Sequence, residues 1–132
     1  EEHLKRINQA DLFIDTLPCN AHTTTSDALR MGLPVLTCIG NSFASRVAAS
    51  LLNAVNLPEL ITINQEQYES LAIELATNPE KLKIIKDKLV SNLSTAPLYD
   101  TKLFTKNLES AYTMMYDRYQ QGLDPDHIYV KH

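Results

Sequence analysis

The chain has 132 residues, 44% of them hydrophobic and 21% charged, with a net charge of −4. This is the composition of an ordinary soluble domain, and one domain spanning residues 1–132 is expected. The longest apolar stretch, around Val47 to Val55, is interrupted by Ser50 and Asn53, which excludes a membrane span there. Acidic and basic residues are interspersed without a basic stripe, which excludes a nucleic-acid surface.

The opening, Glu1 to Arg6, has neither a methionine nor a basic, apolar leader, and it reads as the cut end of a longer cytoplasmic protein. Asp11-Leu12-Phe13-Ile14-Asp15 is the first strand signal, ended by Thr16, Leu17 and Pro18. A helix from Thr24 to Met31 follows, stopped by Gly32 as a C′ residue with Pro34 just beyond. Pro34 to Ile39 is the second strand, and apolar residues in succession point to strands covered on both faces. Ser42 is the expected N-cap of a helix from Phe43 to about Ala54, and Leu60 to Ile63 is a weaker third strand.

Asn64 is placed to cap a helix through Ala76, with Gln67 as its capping-box partner. Asn78-Pro79-Glu80 restarts the chain with a cap, a proline and an acid, and that helix runs to about Leu93. The last helix spans roughly Thr101 to Gln121 with Phe104, Leu108, Ala111, Met115 and Tyr119 as its apolar stripe. An exposed stripe of this kind can drive self-association. The order predicts part of a doubly wound, Rossmann-like α/β domain of three layers, with long C-terminal helices.

Cys19 and Cys38 are isolated and flanked by apolar residues, so reduced, buried thiols are expected. His3, His22, His127 and His132 are too scattered to suggest a metal site.

Ligands of open α/β sheets gather at the carboxyl ends of the strands. The turn after the first strand reads Pro18-Cys19-Asn20-Ala21-His22-Thr23-Thr24-Thr25-Ser26-Asp27. Its hydroxyls at a helix start can bind phosphate together with the helix amides. The plainer reading is that they only cap the helix, and a histidine on a turn is commonly a surface residue. Local spacing alone leaves both readings open.

The segments Ala10 to Thr16, Cys19 to Thr24, Asp27-Ala28-Leu29 and Gly32 to Thr37 closely resemble the O-GlcNAc transferase family, with its SPINDLY-like and bacterial relatives. So do Phe43 to Leu52, Leu57 to Ile61, Pro97 to Thr101 and Pro125-Asp126-His127. The resemblance covers essentially the whole chain. It implies the C-terminal half of the donor-binding lobe of a two-lobed GT-B enzyme, with acceptor protein entering between the lobes. It further implies a metal-independent transfer of N-acetylglucosamine, or a related hexose, from a UDP-sugar to Ser or Thr of proteins. Residue by residue, His22, Thr23 and Thr24 match the family's diphosphate contacts, Asp27 its ribose ligand, and Cys19 the wall of its N-acyl pocket. His3 and Arg6 match the segment beside the uracil.

Two positions depart from the family pattern. Ala21 replaces a common glycine and would be strained if that site needs a positive φ, and Arg30 stands where many relatives carry an aromatic residue. The diphosphate-gripping lysine, the other lobe and the tetratricopeptide repeats of the family have no counterpart here, so the chain alone is expected to bind UDP weakly and not to turn over. The alternatives are a GT-B enzyme with another nucleotide sugar or a non-protein acceptor, and a non-catalytic interaction module.

Overall fold

A computed structural model describes residues 2–130, without the side chain of His3. The chain forms two compact units, Glu1–Ala96 and Pro97–His132.

The first unit is built on three parallel strands in the order β1 (Phe13–Ile14), β2 (Val35–Cys38), β3 (Ile61–Thr62). Phe13 pairs with Val35 and Ile14 with Leu36, while Thr37 pairs with Ile61 and Cys38 with Thr62. All four residues of the central strand β2 are buried, as the unbroken apolar run implies. The same expectation fails for β1. It is the edge of this sheet, and Ile14 is left 47% exposed.

The helices are α1 (Glu2–Ile7), α2 (Thr23–Arg30), α3 (Val47–Ala54), α4 (Gln65–Thr77) and α5 (Pro79–Leu93). Helices α2 and α3 pack on β2 and on each other, the one-sided arrangement that parallel strands in 1-2-3 order take when their connections follow the usual right-handed rule. Helix α4 also packs on β2 and is backed by α5. Leu29, Leu36, Leu52, Leu57, Leu60, Leu75 and Leu89 are fully buried and form the core between these layers. Burying one such side chain is worth about 1.5–3 kcal/mol.

Two local expectations need correction. The helix expected from Phe43 to Ala54 is broken: a 3-10 turn, Phe43–Ser45, precedes α3, and Arg46 between them has φ −124° and ψ −11°. The cause is local competition for the backbone. Ser42 and Ser45 cap one another reciprocally, and the Ser45 carbonyl accepts from Gly40 N at 2.9 Å instead of continuing the helix. At α4, Asn64 Oδ1 accepts from Gln67 N at 2.8 Å as expected, but Gln67 Oε1 accepts from Ile63 N, one residue before the cap. The short α1 has no sequence expectation behind it. Glu2 in its first turn and Lys5 and Arg6 in its last complement the helix dipole, and it packs on α2.

The second unit is a 3-10 turn, Pro97–Tyr99, followed by α6 (Thr101–Gln120). Asp100 caps α6 by accepting from Leu103 N at 2.9 Å. No side chain of α6 is buried; of its apolar stripe Phe104, Leu108, Met115 and Tyr119 are exposed and Ala111 is half-buried. Among the described residues, no helix is long and apolar enough to cross a membrane.

Candidate functional site

The carboxyl end of β1 carries a buried carboxylate. Asp15 is 3% exposed. Its Oδ1 accepts from Thr16 N at 2.8 Å and Ala21 N at 2.7 Å, and its Oδ2 accepts from the Thr37 hydroxyl at 2.6 Å. The Asp15 carbonyl accepts from the Tyr68 hydroxyl. Burial, then the Asp15 charge, then the Cys38 thiol push the Tyr68 phenol above its ordinary pKa. Between Thr16 and Ala21 the loop closes on itself. Thr16 Oγ1 donates to the Cys19 carbonyl at 2.7 Å, and Asn20 Nδ2 donates to the Thr16 carbonyl at 3.2 Å.

The loop delivers the chain into α2, whose N-cap is His22. No threonine occupies the cap position: it holds an imidazole that makes no capping bond, and the three threonines lie inside the first turn. The first bonded amide is that of Ser26, which donates to the His22 carbonyl at 3.1 Å. The amides of Thr23, Thr24 and Thr25 precede it and have no intrahelical acceptor by geometry. Thr23 and Thr24 are exposed. Thr25 is fully buried, and its Oγ1 and the Asn20 Oδ1 are buried without a partner among the described residues.

A second loop, after β2, supports this start. Ala44 O accepts from Asn20 N at 2.9 Å and lies 3.4 Å from His22 Nε2. Phe43, 82% exposed, meets the His22 ring edge-on at 6.1 Å. Arg46 donates to the Gly40 carbonyl at 3.0 Å, which ties down the far end of the same loop. Phe43 and Arg46 also line a groove of about 610 Å³ with Ile39, Val47 and Ser50. A larger one, about 820 Å³, runs along the β1 edge between Ile14, Ile73 and Leu82, and no residue of the 16–25 segment lines it.

Of the residues singled out by sequence, Cys19, His22, Thr23 and Thr24 come together at the start of α2 on exposed surface. Asp27 lies one turn further along α2 and is half-buried. Arg6 is exposed on α1, the helix packed against α2. The His3 side chain lies outside the described residues. Cys19, expected to be buried, is exposed, because it sits on the outside of the closed loop; Cys38 is buried as expected. Ala21 is unstrained: Asn56 is the non-glycine residue with positive φ among the described residues. Sequence reasoning took Asp15 only as the end of a strand and overlooked Tyr68. A carboxylate closing an apolar run was the available signal for the former.

Three comparisons bear on this arrangement. The profile of glycosyl transferase family 41 matches residues 1–108. The chain is 38% identical over 97% of its length to the UDP-N-acetylglucosamine–peptide N-acetylglucosaminyltransferase of Caenorhabditis elegans, covering 11% of that protein. It is 39% identical over 98% of its length to the probable enzyme SEC of Arabidopsis thaliana, bearing the same activity name, and covers 13% of it. A solved mutant of the O-GlcNAc transferase of Thermobaculum terrenum superposes with a TM-score of 0.84 at 35% identity, covering 92% of this chain and 24% of that one. The chain thus spans only a small part of the relatives it matches.

Proposed function

The chain belongs to glycosyl transferase family 41, and from that premise we propose that it is the donor-binding part of a protein O-glycosyltransferase using UDP-N-acetylglucosamine. The observation that carries this reading is the start of α2: three amides without intrahelical acceptors, two exposed threonine hydroxyls beside them, and no side-chain cap competing for the place.

The chemistry needs such a place. When the bond from the anomeric carbon to the β-phosphate oxygen breaks, negative charge grows on the departing UDP. A Ser or Thr oxygen of the acceptor forms the new bond, with inversion, and gives up its proton to a base. Preoriented N–H and O–H donors stabilise the growing charge without reorganising. Loss of one donor from a site of this kind costs about 2.7–4 kcal/mol in the barrier. In this reading His22, Thr23 and Thr24 hold the diphosphate, Asp27 the ribose, Cys19 the N-acyl group, and His3 and Arg6 the uracil. The held orientation of His22, edge-on to Phe43 with Nε2 near the Ala44 carbonyl, supports its part.

Cys19, His22, Thr23 and Thr24 lie on exposed surface, which supports a half-site that other parts of a longer protein complete. Protein acceptors are assigned to those parts. Two free cysteines, one of them exposed, fit a reducing, cytoplasmic setting.

The test is a panel of UDP-sugars assayed with the full-length protein, with His22→Ala and Thr23→Ala beside the wild type. Transfer of N-acetylglucosamine to protein, and its loss in both variants, is the expected result. Unchanged donor binding in both variants would favour a non-catalytic interaction module instead.

A further inference from the structure

We propose that Asp15 is the positioning residue of this site, fixing the direction of the α2 amides through the closed 16–21 loop; this rests on the donor-site reading above. A buried carboxylate is costly unless donors surround it. Here Oδ1 takes the amides at both ends of the loop, Thr16 and Ala21, and Oδ2 takes the Thr37 hydroxyl from β2. One side chain therefore anchors the loop to the sheet and sets its closure. Ala21 is the last residue before the N-cap, so its inward-directed amide determines where His22 and the next three amides face.

The remaining restraints act on the same element. Asn20 N is held by the Ala44 carbonyl and Asn20 Nδ2 by the Thr16 carbonyl, which leaves the loop little freedom except through Asp15. The carboxylate bonds to the Thr16 and Ala21 amides and the Thr37 hydroxyl and, among the described residues, to none of the amides of Thr23 to Thr25. It acts through the loop, as a group supporting a binding constellation from behind.

Positioning the diphosphate donors differs from holding the fold together in one measurable respect: it changes affinity for the diphosphate and leaves affinity for the nucleoside alone. Competition of UDP and of uridine against a fluorescent UDP analogue, in the full-length protein, reads both. Asp15→Ala should weaken UDP about tenfold or more and leave uridine within about twofold, while Asp15→Asn, which keeps an acceptor for both loop amides, returns UDP to within about threefold of wild type.

Equal weakening of UDP and uridine, or no rescue by asparagine, overturns the proposal. A control variant, Thr23→Ala with Thr24→Ala, separates it from the reading it rests on. If the control loses UDP affinity and Asp15→Ala does not, the proposal fails and the donor site stands; if the control keeps full affinity, both fail. Should Asp15→Ala not fold, Thr37→Val carries the test by removing only the Oδ2 partner. It should weaken UDP about threefold with uridine unchanged, and any parallel change in the two, or none, overturns the proposal.

Discussion

The Thr37 hydroxyl donates to Asp15 Oδ2 at 2.6 Å, and the Thr37 carbonyl accepts from the Thr62 hydroxyl at 2.9 Å. A line of buried polar groups thus crosses all three strands just where their carboxyl ends meet the loops. Thr37→Val preserves shape but strips a partner from a buried carboxylate oxygen. Its expected cost is about 1–3 kcal/mol, read by denaturant or thermal unfolding, whereas Thr37→Ser, which keeps the donor, should lose clearly less.

Gly40 is required by its neighbour. A Cβ there would stand 2.4 Å from Ser45 Oγ and 2.8 Å from Ser45 Cβ, inside the capping box that shapes the 3-10 turn. Gly40→Ala should destabilise by about 1–3 kcal/mol as an overpacking change. Adding Ser45→Gly should recover part of that loss in the same melting experiment, because it removes the atoms that collide.

Tyr68 predicts an alkaline signature. Its phenol titrates above its ordinary value of 10.0 because burial, the Asp15 charge and the Cys38 thiol all disfavour the phenolate. A folded pKa above the unfolded one means that the associated stability is fully present below about pH 10 and is lost as pH rises through the folded value. Tyr68→Phe should flatten the fall in stability above that pH. At neutral pH the same variant should cost about 0.5–1.5 kcal/mol for the lost bond to the Asp15 carbonyl.

Ala21, where the family resemblance leads to an expectation of glycine, does not adopt a positive φ. Ala21→Gly would therefore relieve no strain and would only loosen the unfolded chain, at a cost of about 0.4–1 kcal/mol. A rise in melting temperature would show that the alanine is strained after all.

Which parts of this were legible in the sequence follows from the range of the interactions. The apolar runs around Phe13, Val35 and Ile61 and the caps Asn64 and Asn78 are local signals, and each became the element it announced. The break at Arg46 was hidden because it depends on Gly40 taking the Ser45 carbonyl, a contact invisible to helical periodicity. The cluster from Cys19 to Thr24 was legible as a motif on one turn. Its support was not: Asp15 reaches Thr37 across 22 positions and Tyr68 across 53, and neither pairing leaves a trace in local spacing.

The most direct test of the account is a calorimetric titration of UDP into the full-length protein and into a variant carrying Thr23→Ala with Thr24→Ala. The wild type should bind and the variant should bind at least about tenfold more weakly, with its melting temperature in the absence of UDP little changed. Equal affinity in the two proteins would mean that the start of α2 does not hold the diphosphate, and the proposed site would be wrong.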